Sequence, residues 1–250
     1  APGIWVIRLA GSEPSCLRTA TFHWWSMSIK RTDALRVAVL ASGRGSNLQA
    51  VIDAIEAETV QAKIVAVISN KKDAPALERA HRHGLSALFI DPKSYAGRPD
   101  SREAYDRELL DVLKQHDVEL VLLAGYMKIV TVVLVEAFTN RMMNIHPSLL
   151  PSFPGLDVQK KAIEWGCKLA GCTVHFVTEG VDEGPIILQA AVPILDDDSP
   201  DRLAGRILEQ EHTIYPRAVQ LFAEGRLRVE GRRVFIEGGK PNGEAVISPS

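Results

Sequence analysis

From residue 36 onward, short apolar runs alternate with longer stretches that have helical spacing. Runs at 37–41, 64–68, 87–90 and 120–124 are almost continuously apolar, as in the strands of a buried parallel sheet. Between them, apolar residues recur every three or four positions, which predicts helices over 47–57, 74–83 and 101–116. This order of elements predicts an α/β fold with a doubly wound, mostly parallel sheet and helices on both faces.

The second half of the chain predicts a change in strand direction. After a fifth strand at 142–145 and a helix at 158–165, two strands at 171–177 and 186–193 are joined by only eight residues. Because so short a connection cannot hold a crossover helix, at least one strand should be antiparallel and the sheet mixed. Ser199-Pro200 predicts the start of a helix that runs to about residue 224. A small hairpin should follow, with strands at 227–229 and 233–236.

Both ends of the chain differ in composition from its middle. Residues 1–33 hold three of the four tryptophans, and Met27 resembles a natural start inside the chain. We expect residues 1–33 to be a disordered extension, with a genuine accessory segment as the alternative. Residues 34–236 should form the catalytic domain, and the glycine-, proline- and serine-rich residues 237–250 a disordered tail.

Composition limits the classes of function. A chain of 250 residues that is 46% hydrophobic and 24% charged is typical of a globular protein. A net charge of −2 leaves no basic footprint for nucleic acid, so small-molecule substrates are expected. No apolar run approaches the roughly 18 residues of a membrane helix, and three cysteines without a paired framework favour the cytoplasm. The sequence leaves both a monomer and a homodimer open.

The end of the fifth predicted strand is the first candidate site. Side chains alternate between the faces of a strand, so Asn144 and His146 should point the same way. Pro147 biases His146 toward an extended conformation, and open α/β sheets place their chemistry at such carboxyl ends. A histidine beside an apolar strand is more often structural than catalytic, so the spacing alone leaves both roles open.

The first strand leads into a glycine-rich loop at residues 41–48, ASGRGSNL. Gly43 and Gly45 allow a tight turn, after which backbone amides and a helix start can face an anion. Leu48 stands where a dinucleotide fingerprint has its third glycine, and no Walker lysine follows. A single phosphate therefore fits better than a nucleotide, with an ordinary strand-helix turn as the alternative.

Asp182 lies in a glycine-flanked loop, where a solvated turn is the usual role of an aspartate. If the loop folds over His146, however, the carboxylate can stabilise an imidazolium and relay protons. The acidic run at 196–198 has no histidine or cysteine nearby, so no metal is predicted. We interpret His175 as a hydrogen-bonded structural histidine.

Residues 144–151, NIHPSLLP, resemble the signature of the folate-dependent formyltransferases. Further matching motifs occur in the expected order: SGRGSNLQ at 42–49, DSREAYD at 100–106, LAGYM at 123–127, VHFV at 174–177 and QEHTIYP at 210–216. The resemblance covers about residues 36–236. It implies a formyltransferase-like fold and 10-formyltetrahydrofolate as co-substrate, without a metal.

The resemblance also implies a reaction and roles for individual residues. The formyl group would pass to the amine of 5-phosphoribosylglycinamide in de novo purine biosynthesis. Asn144 and His146 would stabilise an oxyanion, and Asp182 would relay a proton. The implied binding residues are Gly45, Ser46 and Asn47 for the substrate phosphate, Glu211 for the glycinamide, and Arg102, Met127, Lys128, Ile129, Val130, Asn144 and Val181 for the folate.

Several alternatives remain open within and beyond this family. A formyltransferase for another amine, such as an amino sugar, should tolerate loss of the Ser46 and Asn47 contacts. Related enzymes that act on methionyl-tRNA typically have Arg-Gly where this chain has Pro154-Gly155, and a formyltetrahydrofolate deformylase shares the same core motif. A folate- or nucleotide-binding protein without catalysis is the alternative from another class.

Overall fold

The computed structural model describes residues 33–239 and residue 248 of the chain. Its strands are β1 (Leu35–Leu40), β2 (Ala62–Ser69), β3 (Ala87–Phe89), β4 (Leu120–Leu123), β5 (Met142–His146), β6 (Leu169–Phe176), β7 (Ile186–Pro193), β8 (Leu227–Glu230) and β9 (Arg233–Ile236). Its α-helices are α1 (Ser46–Glu56), α2 (Pro75–Arg82), α3 (Ser101–Gln115), α4 (Val132–Ala137), α5 (Val158–Glu164) and α6 (Pro200–Ala223), and a 3₁₀ helix spans Pro92–Tyr95.

All nine strands form one mixed sheet in the order β3-β2-β1-β4-β5-β6-β7-β9-β8. Strands β1 to β5 pair with one another in parallel, whereas β6 is antiparallel to both β5 and β7. The predicted mixed α/β sheet is therefore confirmed. Strands β6 and β7 are antiparallel because the short connection between them cannot hold a crossover helix.

Helices cover both faces of the sheet, which explains why its central strands are apolar throughout. Val37 and Val39 of β1 face one core cluster, together with α1, α2 and α6. Ala38 and Leu40 face a second cluster, together with α3 and α4. Successive side chains of β1 are thus buried on opposite sides.

The structure contains one α-helix that the hydrophobic pattern did not predict. Helix α4 has the sequence VVLVEA, in which three of the six residues are β-branched, and it is too short for helical spacing to be detected. After β9, Glu237 donates its backbone N–H to the carbonyl of Arg226. Most of both predicted terminal segments, residues 1–32, 240–247 and 249–250, lies outside the described residues. None of the helices within residues 33–239 is long and apolar enough to cross a membrane.

The sheet has its topological switch point between β1 and β4. The chain passes from β1 to β2 on one side, while β4 pairs with β1 on the other. The loops that follow β1 and β4 touch, since the Ser42 amide donates to the Gly125 carbonyl at 3.1 Å and the Met127 amide to Ser42 Oγ at 2.8 Å. A crevice between such loops is where open α/β sheets bind ligands.

Candidate active site

The glycine-rich loop after β1 turns sharply into α1. Gly45 precedes the helix with φ of 72°, and a Cβ at this position would lie 2.9 Å from Cβ of Ala76. Both facts favour glycine, because other residues rarely adopt this backbone and the space is already filled. The first turn of α1 contains no acidic residue. The loop and helix start therefore present amides that can bind an anion.

Two cavities adjoin at the carboxyl edge of the sheet. The first, of about 700 Å³, is lined by residues 42–47 and by α6. The second, of about 540 Å³, is lined by residues 125–130, 144–147 and 177–182. Both volumes suit small-molecule ligands. Six residues line both cavities: Asn47, Gly125, Met127, Pro147, Gln159 and Glu211.

Asn47 and Glu211 form a buried hydrogen-bonded pair at this junction. Nδ2 of Asn47 donates to Glu211 Oε2 at 2.7 Å, although the two residues are 164 positions apart. Asn47 Oδ1 is buried without a hydrogen-bond partner among the described residues. Burial raises the pKa of Glu211, and the hydrogen bond from Asn47 opposes that shift. The pair thus offers acceptor oxygens to a ligand that reaches the junction.

His146 is buried at the end of β5 and has an oxygen beside each ring nitrogen. Nε2 lies 3.0 Å from the carbonyl oxygen of Phe153, and because a carbonyl can only accept, Nε2 carries a proton. Nδ1 lies 3.4 Å from Asp182 Oδ2, which is longer than an ordinary hydrogen bond. A proton on Nδ1 would therefore be close to the carboxylate and still available to a ligand in the second cavity.

The structure brings Asp182 to His146, as the sequence analysis required for a functional role. Asp182 Oδ2 accepts the backbone N–H of Gly155 at 2.9 Å. Its side chain is only 10% exposed, so this is not the solvated turn that a glycine-rich loop usually indicates. The contact with Gly155 joins the loop after β6 to the loop that follows β5.

His175 belongs to the same group, which the sequence analysis missed. Its Nδ1 donates to the carbonyl of Phe176 at 2.9 Å, so Nε2 is left to accept Nδ2–H of Asn144 at 3.2 Å. Burial lowers the pKa of His175 and favours this neutral form. Nε2 also lies 3.8 Å from Asp182 Oδ1. His175 is hydrogen-bonded as predicted, but it lines the second cavity and orients Asn144.

Thr173 on β6 fixes the chain that leaves His146. Its hydroxyl donates to the carbonyl of Ser148 at 2.7 Å and accepts the N–H of Leu150 at 3.1 Å. Gln189 on β7 adds donors to Thr173 Oγ1 and to the Leu150 carbonyl. The network holds residues 148–153 in place, and with them the carbonyl that accepts from His146.

Most of the predicted folate residues lie on the wall of the second cavity. Met127, Lys128, Ile129, Val130, Asn144 and Val181 all line it. Met127, Ile129 and Val181 are at least half exposed, as is Leu156 across the opening. Arg102 does not line this cavity, but donates to the carbonyl of Ile129 at 3.3 Å. These exposed side chains form an apolar rim around the second cavity, and the polar backbone groups of residues 127–130 lie behind the rim.

A glycine in the loop that carries Asp182 provides a structural test. A Cβ at Gly184 would overlap the carbonyl oxygen of Phe176. We therefore expect Gly184→Ala to lower the free energy of unfolding by about 2 kcal/mol or more and to reduce turnover, because Phe176 anchors His175.

Gly180→Ala is the matched control, since the atoms nearest to its Cβ would belong to the exposed side chain of Glu183 and not to backbone. Urea denaturation and steady-state turnover of both variants measure the difference. Equal stability of the two variants would contradict the assigned packing.

These features define an enzyme-like α/β site for two small molecules, and comparison with known proteins is consistent with that class. The formyl transferase family profile matches residues 35–219. Phosphoribosylglycinamide formyltransferase of Escherichia coli is 43% identical over 213 residues, which are 84% of this chain and 99% of that protein. A structure of glycinamide ribonucleotide transformylase 1 from Symbiobacterium toebii is 53% identical, with a TM-score of 0.79 over 82% of this chain and 95% of that one.

A longer relative shares the same region. The trifunctional purine biosynthetic protein adenosine-3 of Drosophila pseudoobscura pseudoobscura is 54% identical over 195 residues, which are 77% of this chain and 14% of that protein. The chain thus spans about a seventh of that relative. The chain belongs to the formyl transferase family, in the branch of the phosphoribosylglycinamide formyltransferases. The resemblance of the sequence motifs is thereby confirmed.

Proposed function

We propose that the chain transfers a formyl group from 10-formyltetrahydrofolate to the amine of 5-phosphoribosylglycinamide, a step of de novo purine biosynthesis. The observation that carries this proposal is the pair of adjoining cavities with Asn47 and Glu211 at their junction. One cavity begins at an anion-binding loop, and the other contains Asn144, His146 and Asp182. A phosphorylated amine and a formyl donor placed in them would meet near His146.

The two cavities suit the two substrates for different physical reasons. Gly45, Ser46 and Asn47 would hold the phosphate through the loop and the first turn of α1, and Glu211 would accept from the glycinamide. The apolar rim of the second cavity suits a flat heteroaromatic ring, and the polar backbone of residues 127–130 can read its edge. Arg102 would act from outside the cavity, through the carbonyl of Ile129.

In the reaction, the folate supplies the formyl group on its N10. The substrate amine forms a new bond to the formyl carbon, and the bond from that carbon to N10 then breaks. Asn144 and protonated His146 donate hydrogen bonds to the oxygen while it carries negative charge. Such donors, preorganised in a buried site, usually supply the largest share of stabilisation in acyl transfer.

A proton must also move from the attacking amine to the departing nitrogen. Asp182 lies beside Nδ1 of His146 and within 3.8 Å of His175. Its carboxylate faces the imidazole and relays the proton from the amine to N10, and no residue becomes acylated. His175 supports the stabilisation of the oxyanion by fixing the amide of Asn144.

The proposal is tested by following absorbance as the folate is deformylated, with and without 5-phosphoribosylglycinamide. We expect turnover only when the glycinamide is present. Turnover in its absence would identify a deformylase, and turnover only with an amino sugar would identify a different acceptor. Tight folate binding with no turnover for any amine would favour a binding protein.

Glu211 allows a separate test that combines pH and stability. Burial raises its pKa above the ordinary value of 4.5, so folding favours the protonated carboxyl. The stability that this group contributes is present below the unfolded pKa and is lost as pH rises through the folded pKa. Glu211→Gln stays neutral and keeps an acceptor for Asn47, so its stability relative to wild type should increase from about pH 4 to pH 8.

The same variant should bind the glycinamide substrate less well, because the charged acceptor is gone. Urea unfolding at several pH values, together with KM for each substrate, measures both effects. Glu209→Gln, at an exposed position of the same helix, is the control. A pH-independent stability difference between Glu211→Gln and wild type would contradict the assigned burial effect.

A further inference from the structure

Two cationic side chains line the first cavity but not the second, and neither belongs to the proposed catalytic or binding residues. Arg44 lies in the glycine-rich loop after β1, and Lys71 follows the end of β2. Both side chains are exposed. Within residues 33–239, the structure gives neither side chain a hydrogen bond or an ion pair with another residue. Their charges are therefore available to a ligand.

The two loops that carry these cations are fixed to each other. Ser42 Oγ donates to Asn70 Oδ1 at 2.5 Å, and the Ala76 amide donates to the carbonyl of Gly43 at 3.1 Å. These bonds hold residues next to Arg44 and Lys71 on both sides of the cavity opening. Arg44 and Lys71 are thus carried by two loops that are hydrogen-bonded to each other and together form one wall of the first cavity.

The junction of this cavity with the second one carries acceptor oxygens instead of cations. Asn47 Oδ1 is buried and unpartnered within the described part of the chain, and the Glu211 carboxyl lies beside it. Both line the junction with the second cavity, whereas Arg44 and Lys71 line only the first. The first cavity thus combines two cations with the acceptor oxygens at its junction with the second cavity, and the exposed carboxylate of Asp201 also lines it. This combination fits a ligand that carries both an anionic group and N–H or O–H donors.

We propose that Arg44 and Lys71 are the charge partners of the substrate phosphate and set the preference for a phosphorylated over an unphosphorylated amine. The inference rests on the proposed function, since it assumes a sugar-phosphate substrate. The loop amides and the Ser46 hydroxyl bring no full charge, so a phosphate dianion would otherwise be poorly neutralised. The planar guanidinium of Arg44 can bind phosphate with two parallel hydrogen bonds, and Lys71 adds a point charge.

Direct binding of ribose 5-phosphate, measured by calorimetry on the whole chain, tests this inference without requiring turnover. We expect Arg44→Gln and Lys71→Gln each to weaken binding by about five- to tenfold, and the double variant by at least about thirtyfold. Added salt should weaken wild-type binding and affect the double variant less. With the complete reaction, KM for the glycinamide should rise far more than KM for the folate.

Matched controls come from neighbouring cations of the same kinds. Lys72→Gln and Arg82→Gln remove exposed charges that do not line the cavity, and both should bind ribose 5-phosphate within about twofold of wild type. Affinities of the Arg44 and Lys71 variants equal to those of the controls would overturn the inference. If wild type and controls bind the sugar phosphate but no formyl transfer occurs, the proposed function fails while this assignment stands. No binding of ribose 5-phosphate by wild type overturns the assignment whatever the enzyme does.

Discussion

Replacing His146 with alanine should lower kcat by about a hundredfold or more, the range observed when an oxyanion donor or a general acid is removed. The imidazole is buried at the end of β5, with Nε2 held by the Phe153 carbonyl and Nδ1 beside Asp182. Alanine removes the ring whose Nδ1 lies 3.4 Å from the Asp182 carboxylate. Folate binding should change little, because the rim of the cavity is untouched.

Single-turnover measurements with saturating folate separate the chemical step from binding. His146→Gln retains a larger polar side chain, so it distinguishes loss of the imidazole from a packing defect caused by alanine. It should be nearly as inactive as His146→Ala. His81→Ala changes an exposed histidine on α2 and should be fully active. Turnover of His146→Ala close to wild type would remove His146 from the mechanism.

The second large effect is expected for Asp182→Asn, with a decrease in kcat of about ten- to a hundredfold. Asparagine retains an oxygen that can accept from Gly155, so the loop should keep its position. The negative charge beside His146 and His175 is lost, however, and so is the proton relay.

Glu183→Gln is the control for Asp182→Asn, because it neutralises the next acid in the same loop. Circular dichroism and folate titration establish whether the loop and its cavity remain intact. If Asp182→Asn shows a wild-type kcat, the carboxylate has no part in proton transfer. A loss of folate affinity without a change in single-turnover rate would instead assign Asp182 to binding.

The contact between His175 and Asn144 was not predicted from the sequence. Its position in a strand and its hydrogen bonds agree with a structural histidine, as the sequence indicated. In the sheet, however, His175 pairs directly with Asn144, while Thr173 pairs with His146. Period-two alternation predicts which residues of one strand share a face. It does not predict the register between two strands, so the sequence does not reveal that His175 lies beside Asn144.

Local features of the chain were predicted well for a physical reason. Buried parallel strands need continuous apolar runs, a tight turn at Gly45 needs a residue that tolerates positive φ, and a short connection forces β6 and β7 to be antiparallel. Each constraint acts within a few residues and is therefore visible in the sequence. Helix α4 was missed because six residues, three of them β-branched, are too few to carry a periodic signal.

The sequence by itself thus determined the α/β class, the strand ends that carry Asn144 and His146, and the family to which the chain belongs. Only the tertiary structure decided that Asp182 turns inward to His146 and that Glu211 meets Asn47 across 164 positions. It also placed Arg102 outside the cavity and His175 within its wall. These contacts depend on the register between strands and on the packing of α6 against α1. Local sequence patterns do not encode the distance between segments that are remote in the chain, so only the tertiary structure reveals such contacts.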